Sequence, residues 1–289
     1  MLIPLLKAMR PKQWAKNIFV LAAVIFDVKL FVGDFLLKSL LAFVLFCGIS
    51  SAVYLINDLA DMEKDRQHPA KRERPLASGQ LAPSVAVIAA VVLIAICLPG
   101  AYLLNRAFAA IAVAYLFTMT LYSFWLKNVV LIDVLIVAAG FVLRVVAGVV
   151  LVKTARFSPW LYLCVVFLAL FIAISKRRHE LVLLDKNANA HRSTFDEYTM
   201  PLLDDMTRMV TACTAMAYSL YTFSAPNLPQ NHAMMLTIPF VLYGLFRYMY
   251  LVHIRHEGGE PEDLVLKDRP LLLTVALWGL TVVATLYFL

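Results

Sequence analysis

Residues 57–79 read NDLADMEKDRQHPAKRERPLASG. They follow directly on Leu40–Ile56, an apolar run long enough to cross a membrane. Four acids and an amide arrive within nine residues: Asn57, Asp58, Asp61, Glu63 and Asp65. Carried on as a helix, Asn57, Asp61 and Asp65 stand at i, i+4 and i+8, with Asp58 one turn before Asp61, so they line one face. Carboxylates crowded that closely repel one another unless a divalent ion sits among them. Mg²⁺ suits such a site, because it binds through one or two carboxylates and completes its octahedron with water and substrate phosphate. The basic run that follows, Lys71, Arg72 and Arg74, faces the same phosphate. A solvated loop capping a span has a similar composition, but here the acids keep helical spacing and only Glu63 leaves their face.

The surrounding chain is of a kind that places this stretch at a bilayer. Of its 289 residues 62% are hydrophobic, well above the share in a soluble domain. Nine runs approach the ~20 residues a crossing helix needs: 15–31, 40–56, 84–104, 108–124, 129–151, 159–174, 206–223, 233–252 and 271–289. Helices and closed barrels are the two ways to satisfy a backbone in lipid, and a barrel alternates with period two. The expectation is therefore an all-α polytopic membrane protein: one domain over 1–289, nine helices in a single bundle, with polar loops at 57–83, 125–128, 175–205 and 254–270. Leu2–Leu6 is too short for the apolar core of a cleavable signal. Cys47, Cys97, Cys164 and Cys213 all fall inside spans without metal-ligand spacing, and read as small apolar residues.

The net charge of +7 carries its information in its placement. Nine crossings put Lys7, Arg10 and Lys12, the 64–74 run, Lys127, the 176–192 run and Arg255, Lys267 and Arg269 on one side. The opposite loops hold Lys38, Arg106, Lys153 and Arg156, with Lys29 at a span end. The positive-inside rule makes the rich side cytosolic, N-terminus included, in a bacterial cytoplasmic membrane. Every acid-rich stretch lies on that side too, so any chemistry faces the cytosol.

Other polar groups gather at the same level. Gln13, Lys16 and Asn17 share a helical face behind Pro11 and Trp14. Arg10, Lys12 and Lys16 sit at the interface, and Lys12 reads as a snorkelling anchor, whereas Lys16 and Asn17 lie deep enough to face phosphate. In YSFWLKNVVLID (122–133), Lys127 is the one cation of a short turn and Asp133 opens the next helix. Arg144 follows three turns later on the same stripe, and an arginine so deep is a functional candidate or half of a buried pair. Ala147 and Gly148 beside it permit close helix approach. Lys176, Arg177, Arg178 and Glu180 form a second cluster, in which Lys176 and Glu180 have i, i+4 spacing. Basic stop-transfer residues would account for Arg177 and Arg178, though not for Glu180. His179 and His191 read as loop residues and Gly258-Gly259 as a turn. No phosphate loop, dinucleotide fingerprint, nucleophile elbow or HExxH motif occurs. The basic residues line a membrane rather than an aromatic-laced face, which argues against nucleic acid.

The form Asn-Asp-x-x-Asp-x-x-x-Asp at the end of the second span, in a chain of nine runs, resembles the UbiA superfamily of intramembrane prenyltransferases. That resemblance implies that Asn57, Asp58, Asp61 and Asp65 bind Mg²⁺ and a diphosphate. RPKQWAKN (10–17), NDLADMEKDRQHPAKRERPLASG (57–79), YSFWLKNVVLID (122–133), FVLRVVAG (141–148), SKRRHEL (175–181) and PEDLVLKDR (261–269) are similar to its decaprenyl-phosphate phosphoribosyltransferase branch. This implies 5-phosphoribosyl 1-diphosphate as donor, a polyprenyl phosphate as acceptor, and a product supplying arabinose units to cell-envelope polysaccharide. It also implies catalytic work for Asp58, Asp61, Asp65, Lys127 and Asp133. Substrate contacts would come from Gln13, Lys16, Asn17, Asn57, Arg72, Arg74, Tyr122, Arg144, Lys176, Arg178 and Glu180. Aromatic prenyltransferases carry a second Asp-x-x-x-Asp motif after the fourth span; here Tyr122, Lys127 and a lone Asp133 stand instead. Two other readings compete: prenyl transfer from a polyprenyl diphosphate to an aromatic acceptor, and transport or lipid-phosphate binding without chemistry. Transport would place Arg144 and Arg247 at the bilayer midplane.

Overall fold

The computed structural model describes residues 2–67, 71–152, 158–184, 197–255, 257 and 261–289, and among them there are helices and turns but no strand. His191 and the Gly258-Gly259 turn lie outside the described residues, as do Lys153 and Arg156. Among the described residues seven helices are long and apolar enough to cross a membrane: Gly33–Ala60, Pro83–Leu104, Arg106–Phe124, Ile132–Val152, Pro159–Val182, Ala233–His253 and Arg269–Phe288. The protein is an integral membrane protein built of helices.

Two of the nine expected spans take another form. Residues 15–31 do not make one α-helix. Pro11–Leu21 is a 3₁₀ helix, continued by α2 (Ala22–Phe26) after the short α1 (Leu2–Ala8). Gln13, Lys16 and Asn17 interrupt the apolar character there. Residues 206–223 do fall in one helix, α9 (Met200–Ser224), but its threonines keep it below the apolarity of the seven. Those hydroxyls are satisfied within the helix: Thr207, Thr211 and Thr214 donate to the carbonyls of Leu203, Thr207 and Val210 at 2.6–2.7 Å.

Local chemistry sets the ends of the remaining helices. α3 (Gly33–Ala60) is followed by α4 (Met62–Gln67), and α5 (Pro83–Leu104) starts on a proline whose missing N–H costs nothing there. Asn105 ends α5 in an extended conformation. It also caps α6 (Arg106–Phe124), its Oδ1 accepting from the amides of Ala107 and Phe108 at 2.8 and 3.0 Å. α7 (Ile132–Val152) and α8 (Pro159–Leu184) follow, then α9 and α10 (Ile238–His253). α11 (Pro261–Lys267) precedes α12 (Arg269–Phe288), which Asp268 caps through the Leu271 amide at 2.9 Å.

The chain divides into two compact units: Met1–Val24, Val32–Ile136 and Leu143–Lys153 in the first, Ile25–Phe31, Val137–Val142 and Thr154–Leu289 in the second. In the first, α3 packs along α5, α6 and the 3₁₀ segment. Its core joins Val20, Phe46, Ile49, Phe108, Tyr115 and Ala147. In the second, α8 packs along α9 and α10 against α12, around Cys164, Tyr218, Tyr221, Met234 and Val282. Leu37, Leu41, Val44, Ile88, Val91 and Ile96 turn outward, as lipid-facing residues do. Because lipid is as apolar as leucine, helix association rests on close packing and polar contacts. Gly148 supplies such a contact, since the Val20 carbonyl lies where a side chain would begin.

Candidate active site

The polar centre of the first unit is built where α3 runs out. Asp61 leaves helical geometry (φ −99°, ψ 2°), yet its amide still donates to the Asn57 carbonyl at 3.0 Å, and the Asp65 amide donates to the Asp61 carbonyl at 2.8 Å. The near-helical continuation therefore survives a break at Asp61, and α4 carries Asp65 back beside Asp58. Asp58 and Asp65 are both buried, Asn57 and Asp61 half-buried.

Each of the three aspartates meets a cation. Arg10 Nη2 donates to Asp58 Oδ1 at 2.5 Å. Arg74 Nη1 lies 3.3 Å from the same oxygen and donates to Asp65 Oδ2 at 2.5 Å. Lys127, buried in the 3₁₀ turn Leu126–Asn128 between α6 and α7, bonds to Asp61. Burial pushes the Asp65 carboxyl above the usual carboxylate range, against the pull of Arg74 and Lys71 and with a further push from Asp58. Arg72 is exposed, whereas Arg74 reaches two of the acids directly.

Among the described residues no three His, Cys, Asp or Glu side chains converge as a ready metal cage. The donor set nevertheless fits Mg²⁺. One guanidinium nitrogen of Arg74 already stands between Asp58 and Asp65, so a positive charge occupies the gap that two hard carboxylate oxygens would offer an ion.

Deeper in the unit, Arg144 Nε donates to Asn17 Oδ1 at 2.8 Å, and its Nη2 donates to the Tyr115 hydroxyl at 2.7 Å, with the guanidinium 4.7 Å from that ring. Asn17 in turn donates to Ser50 Oγ at 3.0 Å and Cys47 Sγ at 3.3 Å. Arg144 and Asn17 thus hold one another, and with them the 3₁₀ segment against α3 and α7. Lys16 and Gln13 bond to each other, Tyr122 is half-buried on the last turn of α6, and Asp133 is fully buried in the first turn of α7. A helix N-terminus favours a carboxylate in such a position.

The second unit holds its own polar cluster. Arg178 Nε donates to Asp204 Oδ1 at 2.6 Å, and the same oxygen lies 3.2 Å from His253 Nε2. Arg177 pairs with Glu180 at 2.5 Å, so the acid's i−3 neighbour reaches it as well as the i−4 lysine could. Arg177 and Arg178 are both buried, unlike solvated stop-transfer residues. Lys176 is half-buried beside them. Arg247 forks onto Asp268 at 2.8 and 3.1 Å, joining α10 to the start of α12.

Sequence reasoning missed Arg10, taken as an interfacial cation, and the distant partners Tyr115, Asp204 and His253. For Arg10 a signal was present: it directly precedes a proline that opens a helix, and it is a cation on the side that carries the acids.

The model of the UbiA prenyltransferase family matches residues 18–263. Over 286 residues the chain is 35% identical to decaprenyl-phosphate phosphoribosyltransferase of Mycobacterium tuberculosis, covering 98% of this chain and 94% of that one. It is 33% identical to the protein of the same name from Mycolicibacterium smegmatis, covering 98% and 92%. The fold is similar to a UbiA homolog from Archaeoglobus fulgidus solved with GPP and Mg²⁺ bound, with a TM-score of 0.76, 20% identity and coverage of 98% and 99%.

Proposed function

The chain belongs to the UbiA prenyltransferase family, and from that premise we propose that it is a polyprenyl-phosphate phosphoribosyltransferase. It moves 5-phosphoribose from 5-phosphoribosyl 1-diphosphate to a polyprenyl phosphate and releases diphosphate. The observation that carries this reading is the near full-length kinship with relatives named for that reaction.

In the reaction a phosphate oxygen of the lipid forms a bond to ribose C1 as the bond from C1 to the diphosphate breaks. Asp58, Asp61 and Asp65, with Asn57, are the residues that would hold Mg²⁺, which would supply neutralisation of charge on the departing diphosphate. Arg74 and Lys127 are donors poised beside those acids for the diphosphate oxygens, and Arg72 and Lys16 extend the cationic rim. The attacking oxygen is already an anion, so positioning and charge stabilisation carry the rate, with little need of a general base. Asp133 binds a ribose hydroxyl. Arg144 and Asn17, engaged with one another inside the unit, act by fixing the walls of the site. Lys176, Arg178 and Glu180, carried by the second unit, are further substrate contacts on this reading.

On this reading the protein sits in a bacterial cytoplasmic membrane with its polar centre facing the cytosol, supported by the one-sided basic residues. Residues 1–289 act as one functional domain with nine crossings. The 25-residue α9 is long enough for one. At ~2.0 and ~1.5 Å per residue the 3₁₀ segment and α2 together match the ~30 Å hydrocarbon layer.

The test is incubation of the purified protein with radiolabelled 5-phosphoribosyl 1-diphosphate, a polyprenyl phosphate and Mg²⁺. A labelled lipid is expected from the wild type and none from Asp58→Asn or Asp61→Asn. Transfer of an isoprenyl chain from a polyprenyl diphosphate to an aromatic acceptor, with no labelled lipid, would overturn the reading.

A further inference from the structure

We infer that Arg10 is the counter-ion that shuts Asp58 against a bare metal ion, and that it passes to the diphosphate when donor and metal enter together; the inference rests on the function proposed above. Asp58 has a side chain only 2% exposed, and a carboxylate so enclosed needs a cation beside it. Arg74 reaches Asp58 at 3.3 Å but holds Asp65 at 2.5 Å, so the close partner of Asp58 is Arg10, also at 2.5 Å.

The setting of Arg10 suits a side chain that moves on a fixed base. Its backbone is left-handed (φ 53°, ψ 63°), which an arginine rarely adopts, and the residue before a proline is disfavoured in the right-handed helical region. The chain is pinned on both sides. Ser51 Oγ donates to the Met9 carbonyl at 3.1 Å and accepts from Trp14 Nε1 at 3.0 Å, and Asn17 is tied to Arg144. Strain held by such surroundings collects where function needs it. The guanidinium, by contrast, stacks 5.0 Å from the Tyr54 ring and its side chain is 22% exposed, so it has a way out to water.

Charge balance then decides what can enter. Arg10, Arg74 and Lys127 pair with Asp58, Asp65 and Asp61, and Lys71 adds a further positive charge near Asp65. A divalent ion alone would add two positive charges to acids that already hold their counter-ions, and the guanidinium it displaced from the buried Asp58 would lose its carboxylate with no anion in exchange. Metal and diphosphate together bring negative charge in with the cation. They also give Arg10 phosphate oxygens, which its planar fork can grip in pairs. Metal affinity is thereby made conditional on the anion, and Mg²⁺ without donor is kept out.

The test is equilibrium dialysis of the full chain in detergent against Mn²⁺, with and without inorganic diphosphate, metal and phosphate being measured in both compartments. The wild type should bind Mn²⁺ at least about tenfold more tightly with diphosphate than without, the worth of one charge-assisted contact. Arg10→Gln should bind Mn²⁺ alone about tenfold more tightly than wild type, and should hold diphosphate more weakly. Arg10→Lys keeps the charge and should keep Mn²⁺ alone as weakly bound as in wild type, while without the planar fork it holds diphosphate somewhat less tightly. Equal affinity for Mn²⁺ alone in wild type and Arg10→Gln overturns the inference, as does an Arg10→Lys that binds Mn²⁺ alone like the glutamine variant. In both cases the proposed reaction stands while wild type still binds Mn²⁺ with diphosphate. No binding of the pair by wild type sinks both.

Discussion

Gly148→Ala tests whether the interior of the first unit sets the position of the acids. The new methyl would meet the Val20 carbonyl oxygen, with the carbonyl carbon at 3.1 Å and Ala23 Cβ at 3.4 Å. Carbon and carbonyl oxygen ordinarily approach to about 3.3–3.6 Å, so α7 and the 3₁₀ segment must separate by on the order of 1 Å. The atoms in the way are backbone and cannot rotate aside. A shift of that size takes the 2.8 Å bond from Arg144 to Asn17 beyond hydrogen-bonding range. Overpacking costs about 1–3 kcal/mol, and the weakened charge-assisted bond brings a cost of about the same size. Displacement of the segment that carries Arg10 should also lower kcat/KM for phosphoribosyl transfer by up to ~100-fold. Thermal unfolding in detergent reads the first effect and the labelled-lipid assay the second. Gly279→Ala is the control, because nothing lies within 4 Å of its new methyl, and it should match wild type in both assays. A Gly148→Ala protein as stable and as active as the control would refute the argument.

Asp204→Asn strips a buried arginine of its carboxylate, since the Arg178 side chain is 10% exposed. It should cost about 1–3 kcal/mol in thermal unfolding. Asp205→Asn breaks a pair whose two side chains are 71% and 68% exposed, and should change almost nothing. Arg247 holds the Asp268 carboxyl below the usual range, helped by the Leu271 amide. A group lowered in the folded state stabilises above its unfolded pKa, about 3.9, and loses that contribution as pH falls through its folded value. Asp268→Asn, which still caps α12, should melt below wild type at pH 7. Melting curves recorded down the pH scale should show the gap closing under about pH 4; a constant gap would dissociate the pair from the effect.

What could be read from the chain and what could not follow different physics. Helix existence came from long apolar runs, because lipid forces each run to satisfy its own backbone, and Gly33–Ala60 and Pro83–Leu104 accordingly contain their predicted spans. The helical continuation through the acids was legible from the i, i+4 and i+8 spacing of Asn57, Asp61 and Asp65, and the backbone bonds between them survive the break at Asp61. The 3₁₀ form of Pro11–Leu21 was not legible, since i+3 and i+4 periods blur over so short a stretch. Partners such as Arg10 with Asp58, Arg144 with Tyr115 and Arg178 with Asp204 were hidden for a simpler reason. They lie on different segments of the chain, and pairing across segments leaves no period in a sequence.

The buried amide of Asn17 bears on how the polypeptide is made. Its companions arrive 30, 33 and 127 residues later, as Cys47, Ser50 and Arg144. A ribosome delivers the N-terminal segment long before the helix that will shield its most polar side chain from hydrocarbon. Commitment of that first stretch to the bilayer therefore waits on the fourth of the long helices, and a nascent chain cut short before α7 should leave its leading end lying in the headgroups.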